Sequence, residues 1–250
     1  MINLGLQIYT VIDLLKTDDD IDKTIKKVKD IGYGFVQLCA SVEFIKKIAP
    51  ICEKYELPII GYLSDIDTLE NNFDEVFDIA KKYGMKDLGV SSSVSGYEAA
   101  LAYINRVNSF AKKARDAGFT FSYHNHSAEF IKTSSGQTVM ELMLENFSED
   151  VDFMPDTYWI QHGGYDVRRF IEQTKGRAKI IHLKDMIKTK EGHMYAEVGE
   201  GNLWFEGIIK TAKETNVQYY TVEQDICQRN ELESIEISYK NSKRMLEEIL

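Results

Sequence analysis

Residues 151–185, VDFMPDTYWIQHGGYDVRRFIEQTKGRAKIIHLKD, contain one unit of the pattern that decides the fold. Two short apolar runs, at 151–156 and 178–184, are separated by a stretch at 166–174 whose apolar residues are spaced as on one face of a helix. A strand, a helix and a second strand in this order predict two parallel strands that are joined by a crossover helix.

The same unit recurs along the chain at intervals of roughly 30 residues. Eight β-then-α units favour a single (β/α)8 TIM barrel over residues 1–250, with 231–249 as a closing C-terminal helix. A doubly wound sheet is the alternative, but the first strand is not followed by a G-x-G-x-x-G turn that could hold a pyrophosphate. The six further apolar runs lie at 4–9, 35–39, 57–63, 86–91, 119–124 and 217–223.

Composition limits the class of partner. The 250 residues are 44% hydrophobic and carry a formal net charge of -10, which allows a large core and disfavours nucleic acid. No apolar run is long enough for a membrane helix, and the apolar start lacks a basic leader. We therefore expect a cytoplasmic protein whose three cysteines are reduced thiols.

Four residues of metal-binding types stand at or near the ends of four consecutive predicted strands. In a barrel, chemistry sits at the C-terminal strand ends, and the last four strands end at or near His124, Asp156, His182 and Glu223. Two imidazoles and two carboxylates around one point suit Mn²⁺, Fe²⁺, Co²⁺, Zn²⁺ or Mg²⁺. Glu129, in the loop after His124, is a further candidate ligand.

Each of these residues also has an ordinary structural explanation. Asp156 could cap the next helix or turn, His182 could be a core histidine, and His124 could lie at a surface turn. Glu223 could form a salt bridge with Lys184. One metal site explains all four positions at once, whereas the structural explanations require four separate coincidences at consecutive strand ends.

The second half of the chain resembles the sugar-phosphate isomerase/epimerase group of xylose-isomerase-like TIM barrels. The matching segments are YHNHSAEF, DTYWIQHGGYDVRRFIEQTKGRAKIIHLKD, VGEGNLWFEGIIKTAKE and VEQD, which cover most of residues 119–225. The resemblance implies a divalent metal that is held by Asp156, His182 and Glu223. The fourth ligand in the family is usually a glutamate at the end of strand five, so His124 and Glu129 compete for that role here.

The resemblance also implies an acid–base reaction next to a sugar carbonyl, through a metal-stabilised enediolate. Glu223 is a candidate base, with His126 second, and Lys184 could bind a carbonyl oxygen or a phosphate, or pair with Asp185. Candidate substrate-binding residues are Gln7, Gln37, Tyr158 and Trp159, the last two because aromatic rings cover the apolar faces of sugars well.

Two departures from the family pattern concern the early strands. Gln37 stands near the end of strand two where the family commonly has a glutamate, and Leu63 and Ser64 stand where strand three commonly ends in a histidine. The glycine loop at 198–205 could receive a phosphate at a helix N-terminus, but Glu200 within it favours a neutral sugar.

The sequence therefore predicts a metal-dependent isomerase or epimerase of a monosaccharide, ketose or polyol. A lyase or dehydratase that acts on a keto-inositol or 3-keto-glycoside in the same site is one alternative. A non-catalytic sugar-binding barrel is another. The expected partner is a small carbohydrate, with no nucleic acid or membrane partner, and a homo-oligomer is left open.

Overall fold

Eight parallel strands form the wall of a barrel in the computed structural model, which describes residues 2–91 and 93–250. The strands of the wall are β1 (Leu4–Gln7), β2 (Phe35–Cys39), β3 (Ile59–Ser64), β4 (Asp87–Ser91), β5 (Thr120–His124), β6 (Asp152–Met154), β7 (Ile180–Leu183) and β10 (Tyr219–Val222). Their order around the wall is β6-β5-β4-β3-β2-β1-β10-β7. The two edges approach each other through backbone hydrogen bonds, one of which runs from His182 N–H to the Pro155 carbonyl at 2.9 Å. The predicted TIM barrel is confirmed.

Helices surround the wall and follow the strands in turn. They are α1 (Asp18–Ile31), α2 (Val42–Lys54), α3 (Ile66–Asn71), α4 (Phe73–Lys82), α5 (Tyr97–Asp116), α6 (Val139–Asn146), α7 (Thr157–His162), α8 (Val167–Gln173), α9 (Phe205–Glu214) and α10 (Glu231–Ile249). Most begin at a residue whose side chain accepts a hydrogen bond from the first turn. Thr17, for example, forms a reciprocal capping box with Asp20 at the start of α1. The closing helix is α10, as predicted.

Several short elements are additions to the predicted pattern. Two short 3-10 helices cover Ile8–Leu14 and Ala128–Phe130, and a hairpin is formed by β8 (Asp185–Lys188) and β9 (His193–Ala196). The short helices α3 and α7 likewise follow strand ends, at Asp65 and Asp156. Elements of this length contain too few residues for an apolar period to emerge.

Apolar side chains fill two separate spaces. The larger core lies between the strands and the surrounding helices. A small cluster of Phe35, Ile60, Leu63, Met154 and Ile180 is distinct from it. Gln37, His124 and His182 are also buried, and they occupy strand positions towards the C-terminal end of the barrel. Polar groups at that depth need partners, and these partners form the site described below. Among the described residues, no helix is long and apolar enough to cross a membrane.

Candidate metal centre

Four side chains from four strand ends meet at one point on the barrel axis. His124 ends β5, Asp156 and Glu223 follow β6 and β10, and His182 lies within β7. Each offers one ligand atom, and these atoms all lie within 4.8 Å of one another. All four residues are buried. A nitrogen and oxygen set of this kind is suited to a divalent transition metal or zinc.

Two of the ligand atoms have no hydrogen-bond partner among the described residues. They are Nε2 of His124 and Oδ2 of Asp156, both buried, and they lie 3.4 Å apart. Buried polar atoms are nearly always satisfied, so an orphaned pair that points to one place suggests a ligand there. A divalent cation between them would satisfy both atoms.

His182 adds a second argument, based on its hydrogen-bond roles. Its Nε2 lies 2.6 Å from Oε1 of Gln37, which also accepts from Nε2 of Gln7 at 3.3 Å, so His182 Nε2 is the donor. Burial lowers the pKa of His182, which favours the neutral ring. Its Nδ1 is then an acceptor, and it lies 2.7 Å from Oε2 of Glu223, another acceptor. A cation bound by both atoms would remove this repulsion, and Gln37 would orient the ring as outer-shell partners of histidine ligands do.

The charged groups in and beside the cluster shift the pKa values of its members. Burial lowers the pKa of His124, but the carboxylates of Asp156 and Glu223, at 3.4 and 3.5 Å from its Nε2, outweigh it and raise the pKa to about 9. Burial likewise raises the pKa of Glu223, but the ammonium of Lys184 leads the groups that reverse that and hold the pKa well below its ordinary value. A proton on His124 and a metal ion therefore compete for the same nitrogen.

Lys184 places a buried ammonium beside the cluster. Its Nζ lies 3.6 Å from both Asp156 Oδ2 and Glu223 Oε2, and it donates to Asp225 Oδ1 at 2.6 Å. Burial lowers the pKa of Lys184, but these three carboxylates outweigh it and raise the pKa, so the side chain stays charged. The partner of Lys184 is Asp225 and not Asp185, which corrects one alternative from the sequence.

The two oxygens of Asp156 serve different purposes. Oδ1 accepts from the backbone N–H of Trp159 at 2.9 Å and so caps α7, whereas Oδ2 points into the cluster. The helix-capping and metal-binding interpretations of this residue are therefore compatible.

Glu129 is buried, but its carboxylate lies outside the cluster of four. It accepts a hydrogen bond from the Tyr123 hydroxyl at 2.5 Å and another from the backbone N–H of His126 at 3.1 Å. The structure thus brings His124 to the cluster, while Glu129 holds the loop that carries His126.

Aromatic side chains border the site on the side of α7. The ring of Trp159 lies 5.3 Å from that of His126, and Nζ of Lys184 lies 5.1 Å from its centre. Tyr158 is buried and stacks on Tyr195 of the hairpin at 4.5 Å. Of the two predicted sugar-covering rings, Trp159 contacts His126 and Lys184, whereas Tyr158 packs against the hairpin.

A cavity of about 150 Å³ opens over the cluster. It is lined by Gln7, His124, His126, Lys184, Glu223 and Asp225, with four neutral residues from the early strands. Gln7, His126 and Lys184 thus face the space where a small molecule would bind. Gln37 is fully buried and engages His182.

The glycine loop has its backbone donors occupied. The Asp185 carboxylate accepts from the N–H groups of Gly199 and Gly201, both at 2.9 Å, and from Leu203 at 3.2 Å. Those amides would otherwise be the donors for a phosphate. The structure therefore gives a stronger reason against phosphate at this loop than the charge of Glu200.

Three residues near the site were not identified from the sequence. Asp225 lies two residues after Glu223. Because side chains two residues apart on a strand point to the same side, this spacing could have placed Asp225 next to Glu223. Tyr195 belongs to a hairpin whose position over the barrel no local pattern reveals. Tyr9 lies in a 3-10 helix directly after β1 and lines the cavity.

Known proteins share this architecture. A family model described as xylose isomerase-like TIM barrel matches residues 25–239. None of the curated proteins matches the sequence. A sugar phosphate isomerase/epimerase from Parabacteroides distasonis has a structure similar to this one, with a TM-score of 0.79 and 21% identity over 98% of this chain and 94% of that chain.

Two further structures show the range of proteins with this fold. The probable 3-DHS dehydratase AsbF from Bacillus anthracis has a TM-score of 0.76 and 12% identity over 97% of this chain and 99% of that chain. A xylose isomerase-like TIM barrel protein from Mycobacterium smegmatis, in complex with magnesium, has a TM-score of 0.74 and 13% identity over 99% of this chain and 96% of that chain. Because the family model spans most of its length, this chain belongs to the family of xylose isomerase-like TIM barrels.

Proposed function

We propose that the protein is a metal-dependent isomerase or epimerase of a sugar or related polyol. The observation that carries the proposal is the orphaned pair of His124 Nε2 and Asp156 Oδ2, which lies within a cluster of four convergent ligand atoms. His124, Asp156, His182 and Glu223 would hold the ion. A divalent ion bound there would act as a Lewis acid on adjacent carbonyl and hydroxyl oxygens of the sugar.

The remaining cavity residues suit proton transfer next to a carbonyl. Lys184 remains charged, so it is suited to stabilise negative charge on a substrate oxygen and unsuited to accept a proton. Glu223 is a weak base because its pKa is lowered, and its oxygen belongs to the ligand set. His126 lines the cavity outside that set, and we assign it the role of the base.

A dehydratase is the second candidate, and Lys184 is the observation that favours it. Its ammonium lines the cavity and can donate a hydrogen bond to a departing hydroxyl group, which stabilises the negative charge that develops on that oxygen. The two reactions differ in their products, because elimination releases one water and an isomerisation or epimerisation conserves the mass. The mass of the product of any accepted substrate distinguishes them.

The first experiment is elemental analysis of the purified protein and of Asp156→Asn/Glu223→Gln. We expect about one equivalent of a divalent metal in the parent and its loss in the variant. Glu200→Gln, which removes an exposed carboxylate outside the cluster, is the matched control and should keep the metal. A parent protein that takes up no metal after reloading contradicts the proposal.

Turnover is the second measurement. Ketoses, aldoses and keto-glycosides are incubated with metal-loaded protein, and activity should disappear with chelator and return with metal. Metal and sugar binding without turnover of any of them would identify a non-catalytic barrel instead.

A further inference from the structure

A second, larger groove adjoins the cavity over the candidate metal centre. Its volume is about 690 Å³, and it lies along the C-terminal ends of β2, β3 and β4. The groove and the cavity share four lining residues, namely Tyr9, Cys39, Leu63 and Ser91. The shared residues place the two spaces side by side at the rim, so a ligand that reaches past them from the cavity enters the groove.

The sizes of the two spaces indicate how a ligand would be divided between them. The cavity of about 150 Å³ is smaller than the usual range of ligand sites, about 300–1,000 Å³, whereas the groove lies within it. The cavity alone accommodates the reacting ring and little more. Any further part of the substrate would extend into the groove.

Tyr9 stands at the junction of the two spaces. It is one of few large apolar side chains in the described residues with substantial exposure, at 42%. An exposed aromatic ring beside a carbohydrate site offers a surface for the apolar face of a second sugar ring. Seryl and threonyl hydroxyls and an amide, from Ser41, Ser64, Thr68 and Asn72, line the groove beyond it and can bond sugar hydroxyls.

The charge of the groove disfavours an anionic substituent. Glu43, Asp65 and Glu75 line it, and the nearest ammonium, that of Lys46, already pairs with both glutamates. In the cavity, Lys184 is shared among three carboxylates. A phosphate in the groove would therefore meet net negative charge and no unshared cation among these residues.

We infer that the substrate is a glycoside, with its reacting ring over the metal centre and a second, uncharged ring against Tyr9 in the groove. The inference rests on the proposed function, because it concerns the same site. It assigns Tyr9 the role of a specificity residue that contacts the part of the substrate which does not react.

Binding of defined sugars tests the inference directly. Maltose, cellobiose and trehalose serve as disaccharide probes, with glucose and glucose 6-phosphate for comparison, and dissociation constants are measured by titration calorimetry. At least one disaccharide should bind more tightly than glucose, and glucose 6-phosphate should bind no more tightly than glucose.

Two variants connect that preference to the groove. Tyr9→Ala should weaken the preferred disaccharide by about fivefold or more and glucose, whose ring occupies the cavity that Tyr9 also lines, by a clearly smaller factor. Tyr9→Phe should retain most of the affinity because the ring remains. Ala40→Trp fills the groove from a position that lines it and should weaken disaccharides alone. Both alanine and tryptophan variants should keep the metal content of the parent.

The outcomes separate the two proposals. A parent without metal or turnover refutes the proposed function, whatever the sugar binding shows. The glycoside inference fails if glucose 6-phosphate binds at least as tightly as every disaccharide. It also fails if no disaccharide binds, or if Tyr9→Ala weakens glucose and disaccharide equally.

Discussion

The two halves of the barrel rim differ in their chemistry. The ends of β5, β6, β7 and β10 carry the buried ionisable cluster of His124, Asp156, His182 and Glu223. The facing half, at the ends of β1 to β4, presents Gln7, Tyr9, Cys39, Leu63 and Ser91 to the same cavity, all of them neutral. One half carries groups that could hold a cation, whereas the other presents uncharged groups to the cavity.

This asymmetry explains why the early strands depart from the family pattern without weakening the cluster. Gln37 cannot serve as a base, but its amide oxygen accepts from His182 and fixes the ring that faces Glu223. A glutamate at position 37 would place another negative charge beside the cluster. The half of the rim formed by β1 to β4 therefore orients a residue of the cluster through a hydrogen bond and adds no charge to it.

The largest loss of stability is expected from removing the ammonium of Lys184, which lies beside the ionisable cluster. Lys184→Met leaves Asp156, Glu223 and Asp225 without their shared buried cation, and breaking a buried ion pair from one side typically costs about 3–5 kcal/mol. The free energy of unfolding, measured by urea titration of chelator-treated protein, should fall by about that amount.

Lys188→Met is the matched control, because Lys188 is an exposed lysine four residues further along the chain. It should change the free energy of unfolding by no more than about 0.5 kcal/mol. Similar losses in the two variants would show that the charged half does not depend on Lys184.

Asp87 is the first residue of β4 and lies at the end of the strand away from the rim. It tests whether burial also shifts the pKa of an ionisable group outside the cluster. Its Oδ1 accepts from Thr120 at 2.6 Å and Ser122 at 2.8 Å, and Oδ2 has no partner among the described residues. Burial raises the pKa of Asp87 to about 7 against these hydrogen bonds. The carboxyl group is thus more readily protonated in the folded protein than in the unfolded chain.

The sign of the pH dependence follows from that difference. The stabilisation is complete below the unfolded pKa of about 4 and is lost as the pH rises to about 7, by about 3–4 kcal/mol at about 1.4 kcal/mol per pH unit. Asp87→Asn should remove this loss. The free energy of unfolding of the variant should therefore rise relative to that of the parent between pH 4 and 7. Parallel stability curves for the two proteins over that range would contradict the assignment.

The sequence could reveal the cluster because each candidate ligand lies at or near the end of a strand with a clear apolar run. Strand ends of a barrel share one rim, so four metal-binding side chains at four strand ends were enough to predict that they meet. The choice between His124 and Glu129 was beyond the sequence, since it depends on the 3-10 helix at Ala128–Phe130 that turns Glu129 towards Tyr123. Tyr195 was missed for a similar reason, because a hairpin's docking is set by tertiary contacts.

Asp156 allows the two functions of one carboxylate to be separated. Asp156→Asn keeps an oxygen that can cap α7 through Trp159 N–H, whereas Asp156→Ala removes the cap as well as the ligand. Both variants should lose the metal, but alanine should be less stable than asparagine by about 1 kcal/mol. Metal content and urea unfolding give the two measurements, and an asparagine variant that retains metal would remove Asp156 from the ligand set.

The smallest change in stability and metal affinity is expected from substitution of Glu129. This substitution tests whether Glu129 or His124 is the fourth ligand. Glu129→Gln keeps one carbonyl oxygen for the N–H of His126, and its amide N–H can donate to the Tyr123 hydroxyl, which donates to Glu129 in the parent. Because the charged acceptor is replaced by neutral groups, the free energy of unfolding should fall by about 1 kcal/mol. Metal affinity should stay within about tenfold of the parent, as for changes outside the ligand set.

His124→Ala, measured beside it, should abolish stoichiometric binding, because Nε2 of His124 is the atom that faces Asp156 across the cluster. The reverse result would make Glu129 the ligand, and it would require the 126–130 loop to rearrange when metal binds, since that carboxylate lies on Tyr123 and His126 in this structure.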